Sequence, residues 1–321
     1  MVAVENRAQV REFLVSRRAR LTPAEAGLPA WSTNRRVPGL RREEVALLAG
    51  VSVEYYVRLE RGNLAGVSEP VLDAVANALR LDEAERAHLF DLARNASLRP
   101  GRSAAARPGV RPEVQWLLDA MTNSPAYVRN NRTDLLAANA LGRAVFAPVF
   151  EMHRPGIARF VFLDPRSHEF FIEWDTVAAE SAATLRSLAG ENPYDQALSA
   201  LVGELSTRSQ VFARLWAEHN VRLHRTGTKR IHHPLVGDLT LKYESMAPAI
   251  DPTLRLNAYV AEPGSESAER LAVLASWVAA PPPAPEERPR ATSQPTPTVP
   301  EERSRGTSER VTKGHPTHKE N

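Results

Sequence analysis

Residues 41–62 read RREEVALLAGVSVEYYVRLERG, and this stretch decides the fold of the first third of the chain. Val45, Ala46, Leu48 and Ala49 recur at helical spacing and predict a helix over 42–49 with one buried face. Gly50 follows where a helix end needs a left-handed residue, a conformation that glycine adopts at least steric cost. Ser52 stands where the N-cap of a second helix over 53–60 is wanted. Tyr56 and Leu59, three apart, share a face and are expected to pack back on the first helix. Ala46 is small where the helices cross, and Val51 fills the angle between them. Val53, Glu54, Tyr55, Arg58 and Arg61 are left pointing elsewhere. This is the spacing of a helix-turn-helix, whose second helix presents its N-terminal half to the major groove while the first crosses the backbone. The alternative is an ordinary helical hairpin. The arginines gathered around the motif (Arg35, Arg36, Arg41, Arg42, Arg58, Arg61) favour the DNA reading, because they suit release of counterions from a phosphate backbone.

Working outward, residues 7–20 predict an amphipathic helix in which Val10, Phe13 and Leu14 oppose a basic face with Arg17 and Arg18. Thr22-Pro23-Ala24-Glu25 has the residues of a helix start. A helix is expected from Ser68-Glu69-Pro70 to Leu79, with Val71, Leu72, Val75 and Leu79 on one stripe. Another, over 83–95, is capped by Asp82. Five helices in fewer than about 100 residues suffice for an independent bundle. The run RPGRSAAARPGVRP at 99–112 breaks the pattern and reads as a linker.

The quoted stretch, with VPGLRREEVALLAGVS and YYVRLERG, resembles the DNA-binding domain of the XRE (Cro/C1-type) regulators, and within them the MmyB-like branch. The loop from about 26 to 39 also matches that branch. The resemblance implies that Arg42 lies near phosphate, that Ser52 caps the second helix and binds phosphate, and that Val53, Glu54 and Arg58 face base edges with Tyr55 beside them. Many XRE proteins carry Gln where Val53 stands. Val53 offers only apolar contact, for example to a thymine methyl, and Glu54 can accept from cytosine N4, so the family implies the docking but not the operator.

The 321 residues allow two domains, with a net charge of only +3, so the distribution of charge argues for nucleic acid and its total does not. No run of about 18 apolar residues predicts a membrane span, and the N-terminus lacks the apolar core of a secretory signal. The absence of cysteine excludes disulfides and thiol catalysis and fits a cytoplasmic location.

Residues 113–279 are mixed. After a short helix over 114–121, strands over 126–129 and 135–138 flank a polar turn. Helices are expected over 141–150, 173–188, 194–206 and 209–218. Strand-like runs follow at 221–225, 228–232, 239–245 and 256–261, with Gly227 and Gly237 marking turns, and then a last helix over 266–279. Two early strands, a helical insertion and three late strands describe an α+β, PAS-like domain. Its five-stranded antiparallel sheet carries helices on one side. The blocks NNRTDLLAANALG, ARFVFLDPRS, EWDTVAAESAATLR, LVGELSTRSQVFARLWAEHNV, HHPLVGDLTLKYE and YVAEPGS resemble the MmyB-like ligand-binding domain. That resemblance implies a PAS-like pocket, and a fatty acid is bound in at least one relative.

Phe160, Phe162, Phe170, Phe171, Trp174 and Trp216 fall near this sheet. Phe162, Phe171, Trp174 and Trp216 are the candidate lining of an apolar ligand pocket, with core filling as the bland alternative for each. Arg132, Arg222 and Lys242 are candidates for a carboxylate head group, Arg132 foremost. His219, His224, His232 and His233 lie close in sequence but without the convergent ligand set that zinc needs. No GxSxG, HExxH or glycine-rich phosphate loop occurs, so no enzyme is expected. Residues 280–321 lose apolar residues to Pro, Ser, Thr and charge, a composition expected to be disordered.

These readings give a multidomain chain. An all-α five-helix helix-turn-helix bundle (1–98) and a linker (99–112) precede the α+β PAS-like ligand-binding domain (113–279) and a tail (280–321). The expected function is transcriptional regulation by a homodimer on double-stranded DNA, controlled by a small apolar ligand such as a fatty acid, with no metal or other cofactor. The alternative keeps DNA binding and makes the second domain a dimerisation or interaction module without ligand.

Overall fold

The computed structural model describes residues 2–29, 37–97, 109–249 and 251–279. Arg35 and Arg36, most of the expected linker and the expected tail lie outside the described residues.

Among the described residues, the first part is a bundle of five helices: α1 (Val2–Arg20), α2 (Arg42–Ala49), α3 (Val53–Glu60), α4 (Glu69–Ala78) and α5 (Glu83–Ser97). Val10, Phe13, Leu14, Val45, Ala46, Tyr56, Leu59, Leu72, Val75, Leu89 and Leu92 build its core. Two expectations change. Thr22 and Glu25 exchange cap bonds, the Thr22 amide donating to Glu25 Oε2 at 2.8 Å, but the chain makes one turn and stops at Gly27, where φ is +77°. Arg17 and Arg18 do not form a solvated basic face. Arg18 Nε lies 2.6 Å from Glu60, and Arg17, 2% exposed, pairs with Glu85 at 3.2 Å. A helix face that reads as amphipathic with basic residues is buried here because carboxylates on α3 and α5 meet it.

The second part opens with α6 (Pro112–Ala120), whose first residue overlaps the expected linker, and the hairpin β1 (Ala126–Asn130) and β2 (Leu135–Ala138). Seven helices follow: α7 (Ala140–Val145), α8 (Ala147–Phe150), α9 (Ile157–Leu163), α10 (Ser167–Phe170), α11 (Trp174–Glu191), α12 (Gln196–Arg208) and α13 (Gln210–Ala217). Then come β3 (Thr226–His233), β4 (Gly237–Met246), β5 (Leu254–Val260) and α14 (Glu266–Ala279). The sheet is antiparallel with order β2-β1-β5-β4-β3. The five-stranded architecture with a helical insertion is the expected one.

Four details differ. Residues 221–225 join no strand and run as a connecting strap. Gly227 sits inside β3 rather than at a turn, and a Cβ there would meet the Tyr243 ring at about 3.0 Å, so the glycine admits that ring. Helices α9 and α10 add to the expected helices of the insertion. The helices are not confined to one face. Helix α6 covers the back of the sheet with Val114 and Leu118 over Ala126, Val128, Ala137, Leu254 and Leu256.

Because both faces are covered, β1 is buried along its whole length. Strand alternation then sends Ala126 and Val128 to α6, and Tyr127 and Arg129 to the helical insertion. This placement puts an arginine inside the second core.

Candidate functional site

In the bundle, Gly50 closes α2 at φ +64°, and its amide donates to the Leu47 carbonyl at 3.2 Å. The Tyr55 amide donates to Ser52 Oγ at 3.1 Å, so Ser52 is the N-cap of α3. Tyr56 and Leu59 are buried against α2 and α1, and α3 therefore turns its other face outward. Val53 (41% exposed), Glu54 and Arg58 stand on that face, and Val57, Arg61 and Asn63 complete a shallow depression with them. The Arg58 guanidinium lies 4.6 Å over the Tyr55 ring, which fixes its direction. Arg42 is exposed but held by Glu60, which is buried and also binds Arg18. All seven candidate residues of this surface therefore lie on or beside one helix. Val57 and Asn63, not among the sequence candidates, join them.

In the second part, a cavity of about 50 Å³ lies between the sheet and the insertion. Tyr127, Arg129 and Tyr259 line it from the sheet, Phe146, Ile157 and Phe171 from the short helices, and Val177, Glu180, Ser181 and Thr184 from α11. The α11 residues recur at 3, 4 and 7 positions, so one face of that helix forms a wall. Thr133, in the hairpin turn, reaches the cavity with φ +61°, a backbone rarely taken by a β-branched residue. Its hydroxyl accepts from the Ala158 amide at 3.1 Å, which ties the turn to α9.

The polar groups here are unevenly satisfied. Tyr127 and Tyr259 hydroxyls bond each other at 2.9 Å, and burial pushes both phenols up. His224 is bonded to Tyr243 at 3.2 Å and to Asn257 at 3.3 Å, and burial lowers it to about 3, so its ring is neutral. Lys229 and Glu180 pair at one edge, with Arg222 3.0 Å from the same carboxylate. Arg129 is different. It is 4% exposed, and its hydrogen bond is Nη1 donating to the Asn130 carbonyl at 3.3 Å. Among the described residues it has no carboxylate partner. Burial lowers its pKa, and Arg255 on the adjacent strand adds repulsion. Thr184 Oγ1, buried in the same wall, has no hydrogen-bond partner among the described residues. A buried guanidinium without a counter-charge is costly unless something pairs with it.

Of the pocket candidates, Phe171 lines the cavity. The others are placed elsewhere. Phe162 packs edge-on against Phe212 at 4.9 Å, and Trp174 stacks on His168 and donates to Ser167 Oγ at 3.0 Å. Trp216 faces α1, and Arg132 pairs with Asp134 and Asp195 at 3.4 and 3.3 Å. Arg222 and Lys242 are also paired, the latter with Glu262. The polar turn that carries Arg132 closes on itself, since the Asn130 carboxamide accepts from the Arg132 and Asp134 amides. Arg129 gave one signal in sequence: a charge at the position in β1 where alternation calls for an inward residue. Among the described residues, no cluster of three metal-ligating side chains occurs and no helix is long and apolar enough to cross a membrane.

Residues 110–274 match the family described as MmyB-like transcription regulator ligand binding domain, just over half of the 321 residues. The chain belongs to that family. Residues 10–89 match a helix-turn-helix domain. No curated protein matches the chain. The regulator is thus a DNA-binding transcription regulator with a ligand-binding domain, and its families are those of regulators rather than enzymes. The cavity lies inside the family's ligand-binding region, and α2 and α3 lie inside the helix-turn-helix match.

Proposed function

We propose that the regulator binds a pseudo-palindromic operator as a cytoplasmic homodimer and is controlled by a small apolar carboxylate held in the cavity at Arg129. The division is 1–98 for DNA and 113–279 for the ligand. On DNA, α3 enters the major groove with Val53, Glu54 and Arg58 toward base edges and Tyr55 behind Arg58. Arg42, Ser52 and Arg61 meet phosphate. Successive recognition helices then stand about 34 Å apart.

The observation that carries the ligand reading is the buried Arg129, without a carboxylate partner among the described residues, in a cavity whose apolar lining (Phe146, Ile157, Phe171, Val177) meets the Lys229–Glu180 pair at one edge. A carboxylate accepts from the Arg129 guanidinium and leaves its apolar part against Phe146, Ile157 and Phe171. About 50 Å³ is the space of a few waters, at roughly 10–15 Å³ each. A short acid fits without movement, and a long fatty acid requires the insertion to open.

Control of DNA binding follows from α11. Glu180, Ser181 and Thr184 face the cavity, while Arg186 and Gly190 meet the bundle. The strap 221–225 adds a second route. Val221 packs in the bundle core, His224 lines the cavity, and Arg222 binds Glu180. A ligand that favours one setting of α11 thereby favours one presentation of α3.

The test is mass spectrometry of the purified chain, native and then denatured with organic extraction, followed by titration with octanoate. A dimer that releases an organic acid, or binds octanoate and changes its operator affinity, supports the reading. A dimer that releases none and gives no heat with octanoate overturns the ligand part and leaves DNA binding standing.

A further inference from the structure

Past the end of α3 the chain turns back onto α1. Gly62 has φ +89°, and a Cβ there would lie 2.5 Å from the Arg7 carbonyl oxygen and 2.6 Å from its Cα. Only glycine admits this approach, so position 7 of α1 abuts the turn that carries Arg61 and Asn63. Those two residues belong to the exposed depression that α3 forms with Val53, Glu54, Val57 and Arg58. Arg11 follows Arg7 by one turn, about 6 Å along the helix on the same flank, and Arg18 continues that flank. The three arginines are treated differently. Arg18 is held by Glu60, which also takes Arg42. Arg7 and Arg11 are exposed, and neither has a carboxylate partner among the described residues. Glu12, on another face of α1, leans to His219 at 3.7 Å. Like charges one turn apart disfavour a helix unless a counter-charge meets them.

We propose that Arg7 and Arg11 make α1 a second phosphate-binding line, which continues the α3 surface along the DNA backbone. This inference rests on the docking of α3 proposed above. A recognition helix presents its N-terminal half to the groove, so the turn after α3, and α1 beside it, face the flanking strand rather than base edges. The two free guanidiniums break no internal ion pair when phosphates replace their counterions. Arg42, by contrast, meets phosphate with its Nε already held by Glu60. Contacts of this kind set affinity and register and carry no sequence information, so their loss weakens operator and random DNA alike.

The experiment measures binding of the full chain to a fluorescein-labelled random-sequence duplex, by anisotropy over a series of KCl concentrations. The parent is compared with R7Q, R11Q, their double variant, R61Q and R80Q. R7Q and R11Q are each expected to reduce the slope of log affinity against log salt by about 1 per bound protomer, and the double variant by about 2. Arg80 is exposed and lies near Glu25, in the turn beyond the far end of α1, about 20 Å along that helix from Arg7. It carries the same charge away from this surface, so R80Q is expected to keep the parent slope. The slope counts phosphate contacts, which packing alone does not move, and equal urea midpoints are expected because both side chains are exposed. A double variant with the parent slope overturns the proposal. So does an equal reduction in R80Q, which makes the effect one of net charge. R61Q separates this inference from the docking beneath it. A slope reduced by R61Q and unchanged in the double variant removes α1 and keeps the docking of α3. Parent slopes in all variants remove both.

Discussion

Gly190 of α11 lies directly against the ring of His88 on α5: a Cβ at position 190 would sit 2.5 Å from His88 Nδ1 and 2.3 Å from Cε1. The contact joins the helix that walls the cavity at Arg129 to the last helix of the bundle. The Asn95 carboxamide donates to the Gly190 carbonyl at 2.6 Å beside it. Nearby, Arg17 donates to the His219 carbonyl and to Asn220. The two halves of the chain therefore meet through fitted side chains.

Gly190→Ala tests this fit. His88 is fully buried and edge-on to Phe13 at 5.0 Å, so its ring cannot retreat without displacing the bundle core. Overpacking of this kind costs about 1–3 kcal/mol. A lower urea midpoint at unchanged m-value is the expected outcome, and an unchanged midpoint refutes the tight junction.

The same histidine sets an acid limit. Burial lowers His88 to about 3, with Arg186, Arg17 and His219 adding repulsion. The unfolded chain takes up its proton near the ordinary 6.5. Between those values the unfolded state binds more protons, so stability is full above about pH 6.5 and falls as the pH drops toward 3. The slope for one such group reaches about 1.4 kcal/mol per pH unit. His88→Leu is expected to show a smaller loss between pH 7.5 and 5 than the parent. His219 and His224, also lowered by burial, leave a residual slope. Equal slopes in both proteins remove His88 from the account.

The bundle was legible because its signals are local: Gly50, Ser52 and the spacing of Val45, Tyr56 and Leu59 each act within one or two turns. The sheet was legible from alternation in β4 and β5. What the sequence hid depends on partners distant in the chain. Arg17 looked solvated until Glu85 and the 219–220 segment met it. The run 221–225 has strand residues, but Val221 is drawn into the bundle core and the ladder passes it by. Trp174 and Trp216 carried the aromatic signature of a pocket, yet bonds to Ser167 and stacking with Arg186 direct them away from the cavity. Arg129 was hidden by α6, which turns a one-sided sheet into a covered one.

Ser52→Ala removes the oxygen that accepts the Tyr55 amide. An N-cap loss of this kind costs about 1 kcal/mol of stability. If Ser52 also meets phosphate, operator affinity falls beyond what reduced folding explains, and the loss is equal on specific and random DNA. Chemical denaturation and fluorescence anisotropy separate the two effects.

Arg58→Ala is expected to weaken binding to the operator by ~1–3 kcal/mol if the side chain reads guanine, with little change on random DNA. Stacking over Tyr55 predicts that Tyr55→Leu gives part of the same loss, because the guanidinium loses its fixed direction. An equal loss on both DNAs for Arg58→Ala makes it a phosphate contact instead.

Arg129→Gln distinguishes a ligand anchor from a structural arginine. A structural arginine is held by partners, and removing it lowers stability. Arg129 has one bond to a carbonyl and a pKa lowered by burial, so the folded chain bears the cost of its charge. Glutamine keeps much of the volume and none of the charge. Stability is therefore expected to hold or rise, read as an equal or higher urea midpoint. Octanoate affinity is expected to fall by about tenfold or more, since a charge-assisted bond contributes roughly 1.5–3 kcal/mol. A fall in stability with affinity unchanged assigns Arg129 to the fold and moves the carboxylate site elsewhere.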